Sequence, residues 1–353
     1  MTRTNLKVGI VGCGRVTEMR HLPVLSDIPG IEVAALADSD PERIKKIGRK
    51  FDISHRFSRF EQLISRPDLD IVAVCVPASY HAEIAVAALN KGKHLFIEKP
   101  LALSLDDCDA IIQNVRPGQH ATVGFNLRYH RLVQKAQRLI IEGITGPIEA
   151  IRSIHTAFHE TIPAWRQRRR TGGGVLYEQA VHHIDLWRLL LRSEVEEVYA
   201  VTRSNKWEDF SATIIAQMKD GVVISAVFCE QTSAANEIEI IGRRGKLCFS
   251  GYRFDGLWFE PFSGLPGSFS IRIQNMTHIL KQLPNAISSI NRGGEHHATF
   301  REEWRHFREV IRGEAEPKVT LEDGRRAVQV VLAAAESDRT GRPVKVVNAP
   351  ASV

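Results

Sequence analysis

The sequence predicts an α/β chain in two parts, a doubly wound parallel sheet over residues 1–125 and an α+β domain over 126–353 with a large open, mainly antiparallel sheet. Two observations predict it. Short apolar runs alternate with helical stretches from Leu6 to residue 125, the pattern of βαβ units. Beyond that point period-two alternation takes over, with strands parted by DG, GRRG or short polar turns that suit hairpins. The chain has 353 residues, 43% of them hydrophobic, enough to fill two ordinary cores.

LKVGIV, residues 6–11, is apolar enough to be a strand buried on both faces. It runs into GCGRVT and then a helical stretch. Gly12 and Gly14 fill the first two positions of G-x-G-x-x-G, where a side chain would block the tight turn and the close approach of a pyrophosphate; Arg15 and Val16 complete the loop. Thr17 takes the third position, which normally needs a small residue for helix packing. The next strand, IEVAALAD, ends at Asp38, an acid placed to accept from both hydroxyls of an adenosine ribose and to repel a 2′-phosphate. NAD is therefore expected over NADP. DIVAVCVP, the helix SYHAEIAVAALNKG and the strand HLFIEKP continue the alternation, and LDDCDAIIQNV with HATVGFN completes the first domain. Ligands of such sheets gather at the carboxyl ends of the strands, which places Glu98, Lys99 and Pro100 at the ligand edge; Pro77 and His81 join the candidate cofactor residues.

The second half opens with the amphipathic helix RLVQKAQRLIIEG and the strand PIEAIRSIHTAFHE. EEVYAVTRSN, FSATIIAQMKDG, VVISAVFCEQ, ANEIEIIGRRG and KLCFSG are further strands. The helices VLYEQAVHHIDLWRLLL, HATFREEWRHFREVIRG and DGRRAVQVVLAAAESDRTG are expected to cover one face of this sheet, with a return of the C-terminal segment toward the first domain left open. Residues 257–287 give mixed signals and no assignment.

GGGVLYEQAVHHIDLW, from Gly172, puts glycines at the mouth of a helix. Glu178, His182 and Asp185 are four and three residues apart and so share a face, while Ala180, Ile184, Trp187 and Leu191 form an apolar stripe beside it. The glycines allow backbone to pass close to something bulky. His182 is the functional candidate and His183 a structural hydrogen-bonding residue. No metal is expected: adjacent histidines point about 100° apart on a helix, and His155 and His159 lie about 13 Å apart along a strand.

The chain carries 47 basic and 41 acidic residues, a net charge of +6, and its densest basic cluster is RQRRR at 166–170. Without aromatic platforms or a docking motif this excludes a nucleic-acid reading and favours an anionic small molecule or plain solubility. The five cysteines are widely spaced with no C-x-x-C, as reduced thiols would be. No apolar stretch is long enough for a membrane span and no signal peptide is seen, so a cytoplasmic protein is expected.

VGIVGCGRV, VPASYHAEIAVAALNKGKHLFIEKPLAL, GFNLRY, GGGVLYEQAVHHIDLW and EDGRRAVQVVLAAAESDRTGRPVKV together resemble the Gfo/Idh/MocA family of NAD(P)-dependent oxidoreductases, over nearly the whole length. The resemblance implies an N-terminal Rossmann domain, an α/β domain whose open sheet serves dimer or tetramer formation, and hydride transfer at a hydroxyl carbon of a sugar, inositol or related polyol. Lys99 matches the family's catalytic lysine and His182 its catalytic histidine. Glu178 stands where the family usually has Asp, and Ala180 where it usually has Gly. Physically, a base within about 3 Å of the hydroxyl must take its proton as hydride leaves. His182 is that base, Lys99 stabilises the alkoxide charge, and Glu178 orients the substrate or the imidazole. Asn126, Arg128, Tyr129, Trp165 and Arg166 are candidate substrate contacts, Trp165 through its ring face and Arg166 as a fork onto a carboxylate or hydroxyl pair. An NAD-retaining enzyme that oxidises transiently to cleave or eliminate, and a non-catalytic nucleotide-binding regulator, are the alternatives.

Overall fold

The computed structural model describes residues 5–253, 255–262 and 295–347, with residues 269, 273, 276, 277 and 280 between them. It divides into two units. One takes residues up to Asn126, Arg170–Gly172 and Phe300–Val328; the other takes Leu127–Arg169, Gly173–Thr299 and the residues from Gln329 on.

The first unit holds a six-stranded sheet in the order β3-β2-β1-β4-β5-β6. The strands are β1 (Leu6–Val11), β2 (Ile31–Ala37), β3 (His55–Phe57), β4 (Ile71–Val74), β5 (His94–Ile97) and β6 (Ala121–Val123), all paired in parallel. This is the doubly wound order, and the chain reverses direction across the sheet between β1 and β4. β3 is short and polar, which is why alternation did not reveal it. Crossover helices include α1 (Leu22–Leu25), α2 (Pro41–Lys50), α3 (Phe60–Ile64), α4 (His81–Asn90) and α5 (Leu105–Gln113). Asp40 starts α2 by accepting from the Glu42 and Arg43 amides, and Ser104 starts α5 by accepting from Asp107.

The helix α8 (Glu295–Ile311) corrects the sequence reading. Expected over the antiparallel sheet, it instead completes the parallel-sheet core. Phe300, Trp304 and Phe307 are buried with Val8, Ile10, Leu22 and Phe96, and Trp304 stacks on Phe96 with ring centroids 4.2 Å apart. Its apolar stripe is legible in sequence, but nothing in the stripe says which sheet it fits.

α8 also buries Glu303, which is 0% exposed with neither carboxylate oxygen hydrogen-bonded among the described residues. Burial, then the nearby Glu98 charge, raises its pKa well above the ordinary carboxylate value. The folded state thus binds a proton that the unfolded chain releases, so this contribution to stability is fully present at acid pH and is lost as pH rises past the ordinary carboxylate range. Glu303→Met is therefore expected to raise the melting temperature by a few degrees at pH 8 and by less at pH 5, since an unsatisfied buried polar group costs about 1–3 kcal/mol. Thermal unfolding at both pH values checks this; an equal or lower melting temperature at pH 8 would refute it.

The second unit holds an eight-stranded sheet, β13-β12-β11-β7-β10-β9-β8-β14. Its strands are β7 (Ile148–Phe158), β8 (Val195–Arg203), β9 (Ser211–Met218), β10 (Val223–Cys229), β11 (Gln231–Gly242), β12 (Gly245–Ser250), β13 (Leu257–Pro261) and β14 (Val344–Lys345). All neighbours pair antiparallel except β7 with β10, which are parallel. The DG turn joins β9 to β10, with Gly221 at φ +88°, and the GRRG turn joins β11 to β12. Strict alternation along β9 and β10 buries Ala212, Ile214, Ala216, Ile224, Ala226 and Phe228 on one face. α6 (Arg131–Ile141) and α7 (Val181–Leu191) belong to this unit. The last helix, α9 (Leu321–Thr340), enters it after Val328, where the Ser337 hydroxyl accepts from the Ala200 amide and Asp338 binds Thr202. Of residues 257–287, the first five form β13 and most of the rest lie outside the described residues.

Candidate active site

In the first unit, the loop after β1 turns at Gly12 with φ +101°, where an added Cβ would sit 2.2 Å from the Cys75 carbonyl oxygen. Only glycine fits. An added Cβ at Gly14 meets nothing within 4 Å, so the loop opens onto free space there. Thr17, at the third position, is buried and donates its hydroxyl to the Gly12 carbonyl at 2.6 Å, opening the helix as a π turn, Thr17–His21. Arg15 is exposed, whereas Val16 packs on the core. At the end of β2, Asp38 accepts from the Cys13 amide at 2.7 Å and the Asp40 amide at 2.9 Å, with Arg43 at 3.6 Å. The acid is thereby fixed beside the glycine turn. The glycine turn, its open side and this acid fit a dinucleotide.

After β5 the chain runs Glu98, Lys99, Pro100, with a cis Lys99–Pro100 peptide. Glu98 accepts from the Lys99 amide at 3.2 Å through one oxygen and from His21 Nε2 at 2.8 Å through the other. Trp304 Nε1 donates to His21 Nδ1 at 2.9 Å, so Nδ1 carries no proton and His21 is the Nε2–H tautomer. Burial works to raise the Glu98 pKa, yet the His21 hydrogen bond and the Lys99 charge hold it below its ordinary value. His81 reaches the Pro100 carbonyl through Nδ1 at 2.9 Å and the Val76 carbonyl through Nε2 at 2.9 Å. The His81 and Glu98 side chains thus hold the loops on either side of Lys99. Pro77 is half-buried just after β4, ahead of a 3-10 turn, Ala78–Tyr80. Asn126 is buried at the start of another, Asn126–Tyr129.

In the second unit, the stretch from Gly173 leads into a π turn, Leu176–Ala180, and continues as α7. The π turn carries Glu178, and His182 follows in the first turn of α7. The close neighbour of Gly173 is this chain's own backbone. A Cβ at Gly173 would sit 2.1 Å from the Arg166 carbonyl oxygen, so glycine there lets the loop bearing Trp165 and Arg166 press against the helix entrance. Arg166 Nε lies 3.3 Å from Glu178, and its Nη2 donates to Glu230. Arg169 forks onto Asp209 at 2.6 and 2.7 Å, and Arg168 lies 3.7 Å from Glu208. The RQRRR cluster is thus largely matched by acids.

The adjacent histidines part as expected. His183 is 0% exposed, with Nδ1 2.6 Å from Ser153 and Nε2 3.1 Å from Asn236. Burial pushes its pKa down to about 4 against the opposing Asn236 bond. His182 is half-buried. Asp185 is buried in a two-point pair with the Arg128 guanidinium at 2.5 and 2.8 Å. Tyr129 is buried close by in sequence and Trp165 is half-buried. α7 is buried almost all round, so the stripe read from sequence was too narrow. Glu230 and Asn236 were missed; both close polar pairs distant in sequence, which leave no local pattern. Among the described residues no group of three or more His, Cys, Asp or Glu could hold a metal, and no helix is long and apolar enough to cross a membrane. All five cysteines are free thiols, four of them buried.

Fold and loops together define a dinucleotide-binding oxidoreductase architecture. Family models match both parts: the oxidoreductase family with an NAD-binding Rossmann fold over residues 6–125, and the GFO/IDH/MocA C-terminal domain over residues 133–248. The chain belongs to the Gfo/Idh/MocA family. It is 24% identical over 352 residues to the myo-inositol 2-dehydrogenase of Thermotoga maritima, covering 96% of this chain and 98% of the relative. Among solved structures it resembles the scyllo-inositol dehydrogenase of Lactobacillus casei with bound NAD(H) and scyllo-inositol, at a TM-score of 0.77 and 21% identity over 97% of this chain and 99% of that one. It also resembles the WlbA dehydrogenase of Bordetella pertussis in complex with NADH and UDP-GlcNAcA, at a TM-score of 0.80 and 20% identity over 98% and 99% of the chains.

Proposed function

We propose that the protein is an NAD-dependent dehydrogenase moving hydride between nicotinamide and a hydroxyl or carbonyl carbon of a sugar, inositol or related polyol. The observation that carries it is the joint presence, in a chain of this family, of Lys99 after β5 and His182 on α7. The inositol-acting relatives support the substrate class. NAD, when bound, supplies the nicotinamide carbon that accepts hydride. Gly12 and Gly14 leave the backbone bare for its pyrophosphate, and Asp38 is the acceptor for its ribose hydroxyls. His182 takes the hydroxyl proton as general base, and the Lys99 ammonium stabilises the developing alkoxide. Glu178 accepts from neighbouring hydroxyls to set the ring's orientation, and Trp165 offers a flat apolar surface to its carbon face. Asn126 and Tyr129 supply further substrate contacts.

The same reading makes the protein a cytoplasmic homodimer or homotetramer. Val201, Ile215, Val223, Val227 and Ile241 are exposed apolar residues on strands of the open sheet and support the assembly.

A screen of sugars, inositols and sugar acids with NAD and NADP, reading absorbance of the reduced nicotinamide, tests the activity. Turnover of at least one polyol with NAD is expected; none with either cofactor would end the reading. Asp38→Ser is expected to shift the NADP-to-NAD ratio of kcat/KM about tenfold or more toward NADP by removing a charge that repels a 2′-phosphate. An unchanged ratio would show that Asp38 does not discriminate.

A further inference from the structure

We infer that Arg166 is not an anion receptor but a clamp that holds Glu178 for an uncharged substrate, and that Glu230 is the positioning residue that makes it so. This rests on the polyol dehydrogenase reading and narrows its substrate to neutral rings.

The Arg166 backbone is fixed first. Its amide donates to the Pro163 carbonyl at 2.9 Å, and its own carbonyl accepts from Gly174 at 3.3 Å, with Gly173 pressed against it. Its guanidinium then lies between two acids. Glu178, 13% exposed, comes from the π turn, and Glu230, 1% exposed, sits between β10 and β11. Main-chain bonds hold Glu230 on both sides: its amide donates to Phe210 at 2.9 Å and its carbonyl accepts from His159 at 3.0 Å. A substrate carboxylate seeking Arg166 must displace one of these acids. Displacing Glu230 leaves a buried charge uncompensated, and displacing Glu178 brings two carboxylates together. A neutral ring meets neither obstacle, because its hydroxyls donate to the carboxylate that Arg166 holds in place. A carboxylate or phosphate on the reacting ring is accordingly rejected, and the selection is made by repulsion as much as by fit.

The test compares matched probes on the full-length protein saturated with NADH: glucose against glucuronate and galactose against galacturonate, with myo-inositol as a further neutral ring, by calorimetric titration and, with NAD, by turnover. The neutral member of each pair is expected to bind at least about tenfold more tightly. Glu230→Gln, which leaves Arg166 one carboxylate fewer, is expected to move the acid-to-neutral affinity ratio about tenfold toward the acid and to alter KM more than kcat. Acid binding as tight as neutral binding in the wild-type protein overturns the inference while leaving the dehydrogenase reading intact, and needs no variant to fold. A folded Glu230→Gln protein with an unchanged ratio overturns the role of Glu230. Neither member of any pair binding or turning over would overturn the polyol reading itself, and the inference with it.

Discussion

Lys99→Met lowers kcat by about a thousandfold while changing NAD affinity less than about tenfold, if the ammonium acts on alkoxide charge as proposed. Methionine keeps the length and apolar stem of lysine and removes only the charge and its donors. The backbone that carries the side chain is held independently of it. Glu98 binds the Lys99 amide and is itself tied to His21 and, through it, to Trp304, while His81 holds the carbonyls of Pro100 and Val76. The substitution therefore leaves the loop intact and reads chemistry alone. Steady-state kinetics with a titration of cofactor fluorescence measure both quantities. A kcat within about threefold of wild type would remove Lys99 from the mechanism.

His182→Asn is expected to lower kcat by about 10²- to 10⁴-fold, the usual loss when a general base is removed, with partial recovery on adding free imidazole. Its neighbour is the control. His183 sits between Ser153 and Asn236 in full burial, so His183→Asn strands polar groups in the core and is expected to cost about 1–3 kcal/mol of stability, seen as a lower melting temperature. The two variants therefore separate rate from stability along one helix. A pH dependence follows as well. Because the His183 pKa is depressed from 6.5 to about 4, the unfolded chain binds more protons between those values. Stability from this residue is complete above pH 6.5 and is lost as pH falls toward 4. Thermal unfolding across that window should slope less in His183→Asn than in wild type. A His182→Asn protein with wild-type kcat would exclude this base.

Where geometry depends on local pattern, the positions were legible. Gly12, Gly14 and Asp38 sit at fixed offsets from strands β1 and β2, and those offsets are themselves the geometry of a strand–turn–helix unit. The separation of His182 from His183 was equally accessible, since neighbours on a helix point in different directions. What escaped were pairings across long stretches of chain. Nothing near Arg166 announces Glu230, 64 residues on, and nothing near Arg128 announces that Asp185 will occupy it. Likewise the stripe of Phe300, Trp304 and Phe307 states that a face is apolar without naming the sheet that receives it. Periodicity specifies which side of an element is buried; the destination is settled by shape and by chain path.

That path governs how the protein can be made. The hydrophobic interior around β1 is closed by aromatic rings first encountered at Phe300, so a ribosome has delivered most of the polypeptide before the earliest strands can be sealed. An excised fragment ending at Asn126 would emerge with a greasy flank where Trp304 belongs, prone to stick to other chains. Useful trimming of this enzyme would have to respect that late closure and retain the distant segment.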